Sequence, residues 1–440
     1  MDLKQKRRIA MMLPIVLATG YCVLLTWSSS RLLDQALGRA KAIGLPVTAE
    51  ELNAAIPPDS ENAAVEYEMA EKTYRKGARL DLMLMRSPQN FIGNTTDAVA
   101  SRKQYFGGRE VDWNDVLAVA RRMEPYFQLL LKGSWKPRYH ARFDWRVYPN
   151  MKATNLKDGV YFCNSAAEAA ARTGDKKRAL EYLQTAIRIG NHQKQEPSMI
   201  ALLHGQTCDS ASQNCARALA LIMRKDGASM QQIEALAEEI RLTDLMFGLR
   251  SEVLMSVQGI DWMAKNLKEK DFNSSPYFWE DQPLRLPWVR TQAQTHLVDS
   301  IVAGYAIWPK SRSDQAGVKR ALAKIDTTFQ GRSGLGGTIA NRISFGYSSL
   351  GRYADVYPAV TALTRACIRM LGSQPSGFPD KLPPPARAIL DPFSGKPLLY
   401  KKLPGSFVLY SVGPNGIDNG GVRPMDICLV YNDGRISARY

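Results

Sequence analysis

The stretch Asp391-Pro392-Phe393-Ser394-Gly395-Lys396-Pro397-Leu398-Leu399-Tyr400 decides the C-terminal fold. It is followed by Phe407-Val408-Leu409-Tyr410-Ser411-Val412-Gly413-Pro414-Asn415-Gly416-Ile417-Asp418-Asn419-Gly420-Gly421 and by Asp426-Ile427. Short β-prone runs alternate there with turn residues. Leu403-Pro404-Gly405-Ser406 fits a type II turn, in which proline presets φ at the first central position and glycine accepts a positive φ at the second. It joins 397–402 to 407–412 and predicts an antiparallel hairpin. Asn415-Gly416 is a second turn signal, and Asp433-Gly434 a third, between 427–431 and 436–440. Four short antiparallel strands thus fit into about fifty residues, and so small a sheet needs a helix on its apolar face. Val356, Val360, Leu363, Cys367 and Met370, at helical spacing just upstream, predict that helix, ended by Gly372 and the Pro375-Ser376-Gly377 stretch.

A long helix, a proline-rich connection and a small antiparallel sheet is the pilin-like order. Residues 352–440 resemble the C-terminal module of type II secretion pseudopilins through the strings around 391–400 and 410–421. In that family the glycine-rich loop and the following Asp-Ile hold calcium. The resemblance therefore implies a weak calcium site with Asp418 and Asp426 as its carboxylates. Calcium takes six to eight oxygens, and no other carboxylate lies between Asn415 and Asp426. The other reading is a turn in which Asp418 and Asp426 accept backbone N–H groups. No other metal and no organic cofactor is expected.

At the other end, residues 9–27 contain no charge and follow Lys4, Lys6, Arg7 and Arg8. A helix of that length spans about 28 Å, close to a bilayer core. The basic flank predicts a cytoplasmic segment 1–8, a transmembrane anchor 9–27, and the bulk of the chain outside the cytoplasmic membrane. A cleaved signal peptide ending near Ser28-Ser29-Ser30 is the competing reading. Arg8 stands where pilins carry their processing glycine, and the apolar run lacks their early glutamate. Entry into a pilus by the usual route is therefore not expected.

The net charge of +16 is consistent with binding anionic envelope polymer or lipid headgroups. The basic residues are dispersed, without zinc-finger spacing or an RNA-binding aromatic signature, which argues against nucleic acid. Of six cysteines, Cys22 falls in the span, and Cys163, Cys208, Cys215, Cys367 and Cys428 follow it. Cys208 and Cys215, about 10 Å apart along one helix, cannot bridge each other.

Residues 28–330 read as a helical scaffold. Thr48 and Glu51 have capping-box spacing, as do Ser229 and Gln232 before a helix at 230–242. Glu61-Asn62-Ala63-Ala64 opens a further helix. Residues 164–190 form a helical hairpin broken at Gly174-Asp175. Its Ala167, Ala179, Leu183 and Ala186 resemble the small and large positions of one degenerate tetratricopeptide repeat. The aromatic stretch 273–287 reads as an ordered loop. The glycine-rich 331–351 reads as a hinge before the 352–440 module. As a whole, the order of parts resembles membrane-anchored bacterial envelope proteins that open with the same Glu-Asn-Ala-Ala helix and close with the same Asp-Pro-Phe-Ser-Gly-Lys-Pro-Leu tail.

No catalytic motif accompanies this architecture. His204, Cys208 and Cys215 share a helical face but lack a fourth metal ligand. Glu61, Glu66 and Glu68 cluster early in a helix, where acidic residues complement its dipole. The expected fold class is mainly α, with a transmembrane helix, a helical-hairpin scaffold and a C-terminal α+β pilin-like module. The expected function is a membrane-anchored, extracytoplasmic scaffold that contacts envelope proteins in assembly or secretion. The alternative is an envelope hydrolase or polymer-modifying enzyme, which a cleft holding two perturbed carboxylates would favour.

Overall fold

A computed structural model describes residues 3–74, 79–92, 96–141, 144–146, 156–266, 282–309, 314–331, 334–343, 347, 350–374, 376–422, 424–432 and 434–439. Helices account for 67% of the chain, and its four-stranded sheet lies at the C-terminus. In chain order the helices begin with α1 (Leu3–Ala42), α2 (Ala49–Asn53), α3 (Ala64–Tyr74), α4 (Arg79–Arg86) and α5 (Thr96–Phe106). There follow α6 (Trp113–Arg122), α7 (Glu124–Ser134), α8 (Leu156–Arg172), α9 (Lys176–Gln193), α10 (Met199–Met223) and α11 (Gly227–Glu238). The remaining long helices are α12 (Glu252–Asn266), α13 (Pro287–Ala306), α14 (Gln315–Gln330), α15 (Gly334–Ile343) and α16 (Leu350–Ser373). The strands are β1 (Leu399–Leu403), β2 (Ser406–Ser411), β3 (Ile427–Asn432) and β4 (Arg435–Arg439).

The chain divides into two compact units, each discontinuous in sequence. One comprises 1–55, 143–151 and 246–352, and the other 56–142, 152–245 and 353–440. The expected scaffold 28–330 is therefore distributed over both, and the expected module 352–440 is part of the second.

In the first unit α13 is central and packs against α1, α12, α14 and α15. Ala36, Ala40, Leu45, Val253, Val298 and Ile301 form one core cluster. Ala49, Leu52, Trp145 and Leu254 form another. The capping box at Thr48 and Glu51 is complete, with both reciprocal hydrogen bonds made. The glycine run expected as a hinge is helical over Gly334–Ile343. A Cβ on Gly336 would lie 2.6 Å from Gln292 Cβ and 3.1 Å from Val289 O, so glycine lets α15 approach α13 closely.

α1 is one continuous helix that runs from the expected cytoplasmic segment through the expected anchor into the start of the expected scaffold. Every residue from 16 to 24 is exposed, whereas Ala36 and Ala40 are fully buried. Among the described residues no helix is long and apolar enough to cross a membrane. The expected span 9–27 rests partly on 9–11, 13 and 15, whose side chains lie outside the described residues, as does 273–281 of the aromatic loop.

In the second unit α8 and α9 form the expected hairpin, turned at Gly174 (φ +93°) and capped by Asp175. α10 packs on both, and α11 returns along α9 and α10, so a second hairpin follows the first. α11 starts at Gly227 and is capped by Asp226, three residues ahead of the Ser229 cap read from sequence, because the Asp226 carboxylate accepts Ser229 N–H. The sheet has the order β1-β2-β3-β4, antiparallel throughout. Gly405 in the β1–β2 turn has φ +65° as that turn requires. Phe378 packs edge-on against Phe407 and Tyr431, with ring centroids 4.9 and 4.7 Å apart. The expected single apolar stripe on the upstream helix is too narrow. Asp355, Ala359, Thr364, Ala366, Ile368 and Leu371 of α16 are also buried, so the helix is covered well beyond that stripe, while Arg365 and Arg369 are half-buried.

Candidate functional site

A polar node assembled from distant segments lies in the second unit. It begins with Glu61-Asn62-Ala63-Ala64. Asn62 is fully buried. Its Nδ2 donates to His140 O at 3.0 Å, and its Oδ1 accepts the N–H groups of His140 and Ala64, both at 3.1 Å. Ala63 N–H donates to Arg138 O at 2.9 Å, and Arg138 N–H to Glu61 O at 3.3 Å. Backbone groups outside regular structure need such partners when buried, which explains why this motif carries asparagine followed by two alanines with no room to grow.

The end of α9 grips the same loop. His192 Nε2 lies 2.9 Å from the carbonyl oxygen of Lys136, which can only accept, so Nε2 carries the proton. Nδ1 then accepts from the Tyr67 hydroxyl at 2.8 Å. Burial pushes the His192 pKa down to about 4 and keeps the ring neutral, consistent with these bonds. Gln195 Oε1 accepts Tyr139 N–H at 2.8 Å, and Glu196 Oε2 accepts Ala141 N–H at 2.6 Å. Glu196 Oε1 lies 3.5 Å from His140 Nδ1, which itself donates to Ala141 O at 2.7 Å. Burial pushes the Glu196 carboxyl up to about 8 and lowers His140. Glu66, only 4% exposed, sits between Lys136 (2.7 Å) and Lys132 (3.4 Å). Desolvation is the largest influence on its carboxyl and would raise it, but the hydrogen bond and charge of Lys136 more than offset this.

Lys194 turns the other way, donating to Asp209 Oδ2 and Arg241 O, each at 2.6 Å. Glycines make the space for this pair. A Cβ on Gly205 would lie 2.5 Å from Lys194 Cγ, and one on Gly190 3.1 Å from Asp209 Oδ1. From Asp209 a polar seam runs between α10 and α16. The Tyr357 hydroxyl donates to Asp209, Gln213 Nε2 to Thr361 Oγ1 at 2.9 Å, and the buried Arg217 to Thr364 Oγ1. Partners advance in the same direction on both helices, so the helices run parallel, and only one register satisfies all three pairs. Burial raises the Asp209 carboxyl, against the lowering influence of Lys194 and Tyr357.

The C-terminal aspartates serve the backbone. Asp391, 1% exposed, accepts Phe393 N–H (3.0 Å), Ser411 Oγ–H (2.9 Å) and Val412 N–H (2.9 Å). Asp426, fully buried, accepts Gly421 N–H at 2.7 Å, Val422 N–H at 3.2 Å and Asn419 N–H at 3.4 Å. Asp418 Oδ1 accepts Gly420 N–H at 2.8 Å and Tyr410 O–H at 3.1 Å. Gly413 has φ +67°, and a Cβ there would meet Met425 O at 2.2 Å, so only glycine closes this loop. Calcium needs carboxylate lone pairs turned toward it. Those of Asp426 face N–H donors, so the residues do not fit the ion that the pseudopilin likeness implied. Among the described residues no group of three or more His, Cys, Asp or Glu could hold a metal.

The other sequence candidates do not converge. Cys208 and Cys215 are buried, with Cys215 Sγ directed to Asn164 O at 3.6 Å, and among the described residues no cysteine forms a disulfide. Glu61 is exposed, whereas Glu66 is enclosed by lysines. Missed in the sequence is the run His192 to Glu196, a polar stretch before Pro197 that resembles a solvated loop. The one signal was the density of long polar side chains between two apolar helices. No protein-family model, curated protein or solved structure matches this chain.

Proposed function

We propose that this protein is a membrane-anchored scaffold, with its bulk outside the cytoplasmic membrane, that presents a pilin-like C-terminal sheet to envelope proteins. The observation that carries the reading is the two-part character of α1. Met12, Val16, Leu17, Tyr21, Val23, Leu24 and Trp27 are each more than half exposed, whereas Ala36 and Ala40 on the same helix are fully buried against its neighbours. Large apolar side chains exposed over so wide an arc need an apolar environment. The Arg31 guanidinium lies 3.9 Å from the Trp27 ring centroid. An aromatic–cation pair of this kind suits the outer membrane–water boundary. The basic residues before the run orient the helix with its start in the cytoplasm.

The geometry of the node favours a scaffold over a hydrolase. Glu196 and Asp209, the carboxyls raised by burial, are 2% and 1% exposed. Ala141 N–H is bonded to the first, and Lys194 and Tyr357 to the second. Groups so enclosed hold helices in register instead of meeting a substrate.

Cys22 is the only exposed cysteine and lies within the proposed span. In native membranes it should resist a charged, membrane-impermeant maleimide and react after solubilisation in a denaturing detergent. A reporter fused after Tyr440 should be active only if it functions outside the cytoplasm. Rapid labelling of Cys22 in intact membranes, or cytoplasmic reporter activity, would refute the anchor or its orientation. Pull-down with and without the sheet tests the partner surface, and equal recovery of envelope proteins would remove the sheet from the role.

A further inference from the structure

Above the His192 node the second unit exposes an aromatic platform that its own packing does not require. Trp135, at the end of α7, is 62% exposed. The Arg188 guanidinium lies 3.6 Å from the centroid of its ring, so one indole face is covered by a cation and the other is open. Arg188 is itself held, with Nε 3.5 Å from Glu239 Oε2, while its buried Nη1 has no hydrogen-bond partner among the described residues. Lys132 lies one turn before Trp135, and Lys136 and Arg138 follow it. Arg241 N–H donates to Asn191 Oδ1 at 3.1 Å and Asn191 Nδ2 to Glu239 O at 2.8 Å, which brings 239–241 beside the turn of α9 that carries Arg188. Lys136 and Lys132 are engaged by Glu66, and Arg188 by Glu239. Asp59 and Glu61 border the patch where the 58–62 turn meets Lys136 and Arg138. For a ligand the decisive groups are the donors left over. Arg138 and Arg241 are exposed, and among the described residues neither guanidinium has a carboxylate partner.

We propose that Trp135, with the surrounding Arg138, Arg188 and Arg241, is a binding platform for an acidic glycan. The C–H face of a sugar ring packs on the open indole face. Free guanidinium groups then take its carboxylate or phosphate by charge-assisted, bidentate hydrogen bonds. Arg188 beneath the indole holds the ring in place, which lowers the ordering cost of binding. A bilayer contact would use exposed apolar neighbours like those beside Trp27, whereas Trp135 is flanked by Lys132, Lys136 and Arg138. Neither the anchor nor the C-terminal sheet enters this argument, so it stands or falls separately from the scaffold reading.

The test uses the full chain in an uncharged detergent. The probes are fluorescent polygalacturonate, neutral dextran and dihexanoylphosphatidylglycerol. Polygalacturonate should bind and dextran should not. Trp135→Ala should weaken binding about tenfold or more. An Arg138→Ala, Arg241→Ala double variant should weaken it and flatten its salt dependence, since fewer ionic contacts remain. All are surface changes, and an unchanged circular dichroism melt confirms intact folding. Absence of polygalacturonate binding by the wild type, equal binding by a folded Trp135→Ala variant, or binding of the phospholipid alone would overturn the proposal.

Discussion

Asp426→Ala should destabilise the C-terminal sheet by about 3–5 kcal/mol. The carboxylate is fully buried and accepts Gly421 N–H at 2.7 Å and Val422 N–H at 3.2 Å, with a longer contact to Asn419 N–H at 3.4 Å. Hydrogen bonds to a charged acceptor contribute roughly 1.5–3 kcal/mol each. Two good bonds and one weak one give the quoted range, and the donors left behind cannot all reach water. The glycine loop they hold covers β2 and β3, where a Cβ on Gly421 would lie 3.2 Å from Val408 Cγ1 and Cys428 Sγ contacts Gly421 O at 3.4 Å. Loss of the latch should therefore raise hydrogen exchange across 406–432 before it is felt in α8 and α9. Asp426→Asn keeps the shape and one acceptor and should cost about half as much. The assay is urea denaturation of the full chain in an uncharged detergent, with exchange read peptide by peptide by mass spectrometry. Chelation should leave the wild type unchanged. A cost below about 1 kcal/mol would refute the latch, and a chelation-induced loss of protection in 413–426 would restore the calcium reading.

Asn62→Ala removes three hydrogen bonds at a fully buried site and should cost about 2–4 kcal/mol in the same denaturation; a change within experimental error would make the Glu-Asn-Ala-Ala clamp incidental. The opposite proton demands of His192 and Glu196 cancel between about pH 4.5 and 6.5, so stability should fall chiefly as pH rises from about 6.5 to 8. His192, whose pKa is depressed to about 4 by burial, binds fewer protons folded than unfolded, so its contribution is lost as pH falls from about 6.5 toward 4. Glu196, raised to about 8, binds more protons folded than unfolded, so its contribution is lost as pH rises from about 4.5 to 8. Glu196→Gln should flatten a melting-temperature profile between about pH 6.5 and 8 and leave the His192 loss below about 6.5 uncompensated, and an unchanged slope above 6.5 would contradict the assignment. Leu363→Asp puts an unpaired charge at a fully buried position in α16 and should abolish protection in both α10 and the sheet, by more than about 4 kcal/mol; retention of either would show that α16 does not unite them.

The parts legible in the sequence were those set by neighbours a few residues apart. The Thr48–Glu51 capping box, the Gly174-Asp175 break and the Pro404-Gly405 turn each close over at most four residues, and each is present. Period-2 runs between turns likewise announced all four strands. Amphipathic spacing located α16 but not the breadth of its buried face. A stripe reports the face that must be buried and says nothing of small or polar side chains that neighbours will also cover.

The node was illegible for a related reason. Tyr67 and His192 are 125 residues apart, Asn62 and His140 are 78, and Asp209 and Tyr357 are 148. A histidine, a lysine and a glutamate in a polar run look alike in one dimension whether they face water or one another. Their protonation, and the pairing that burial makes obligatory, arise only when separate helices enclose them. The sequence by itself determined the helical composition, the Thr48 cap, the turns and the sheet, because those depend on local sterics and short hydrogen bonds. Tertiary structure alone decided that Asp426 and Asp418 bind backbone, that the glycine run is a helix contact, and that three distant segments share one buried polar core. Those outcomes depend on which groups lose water together, a property of the packed chain.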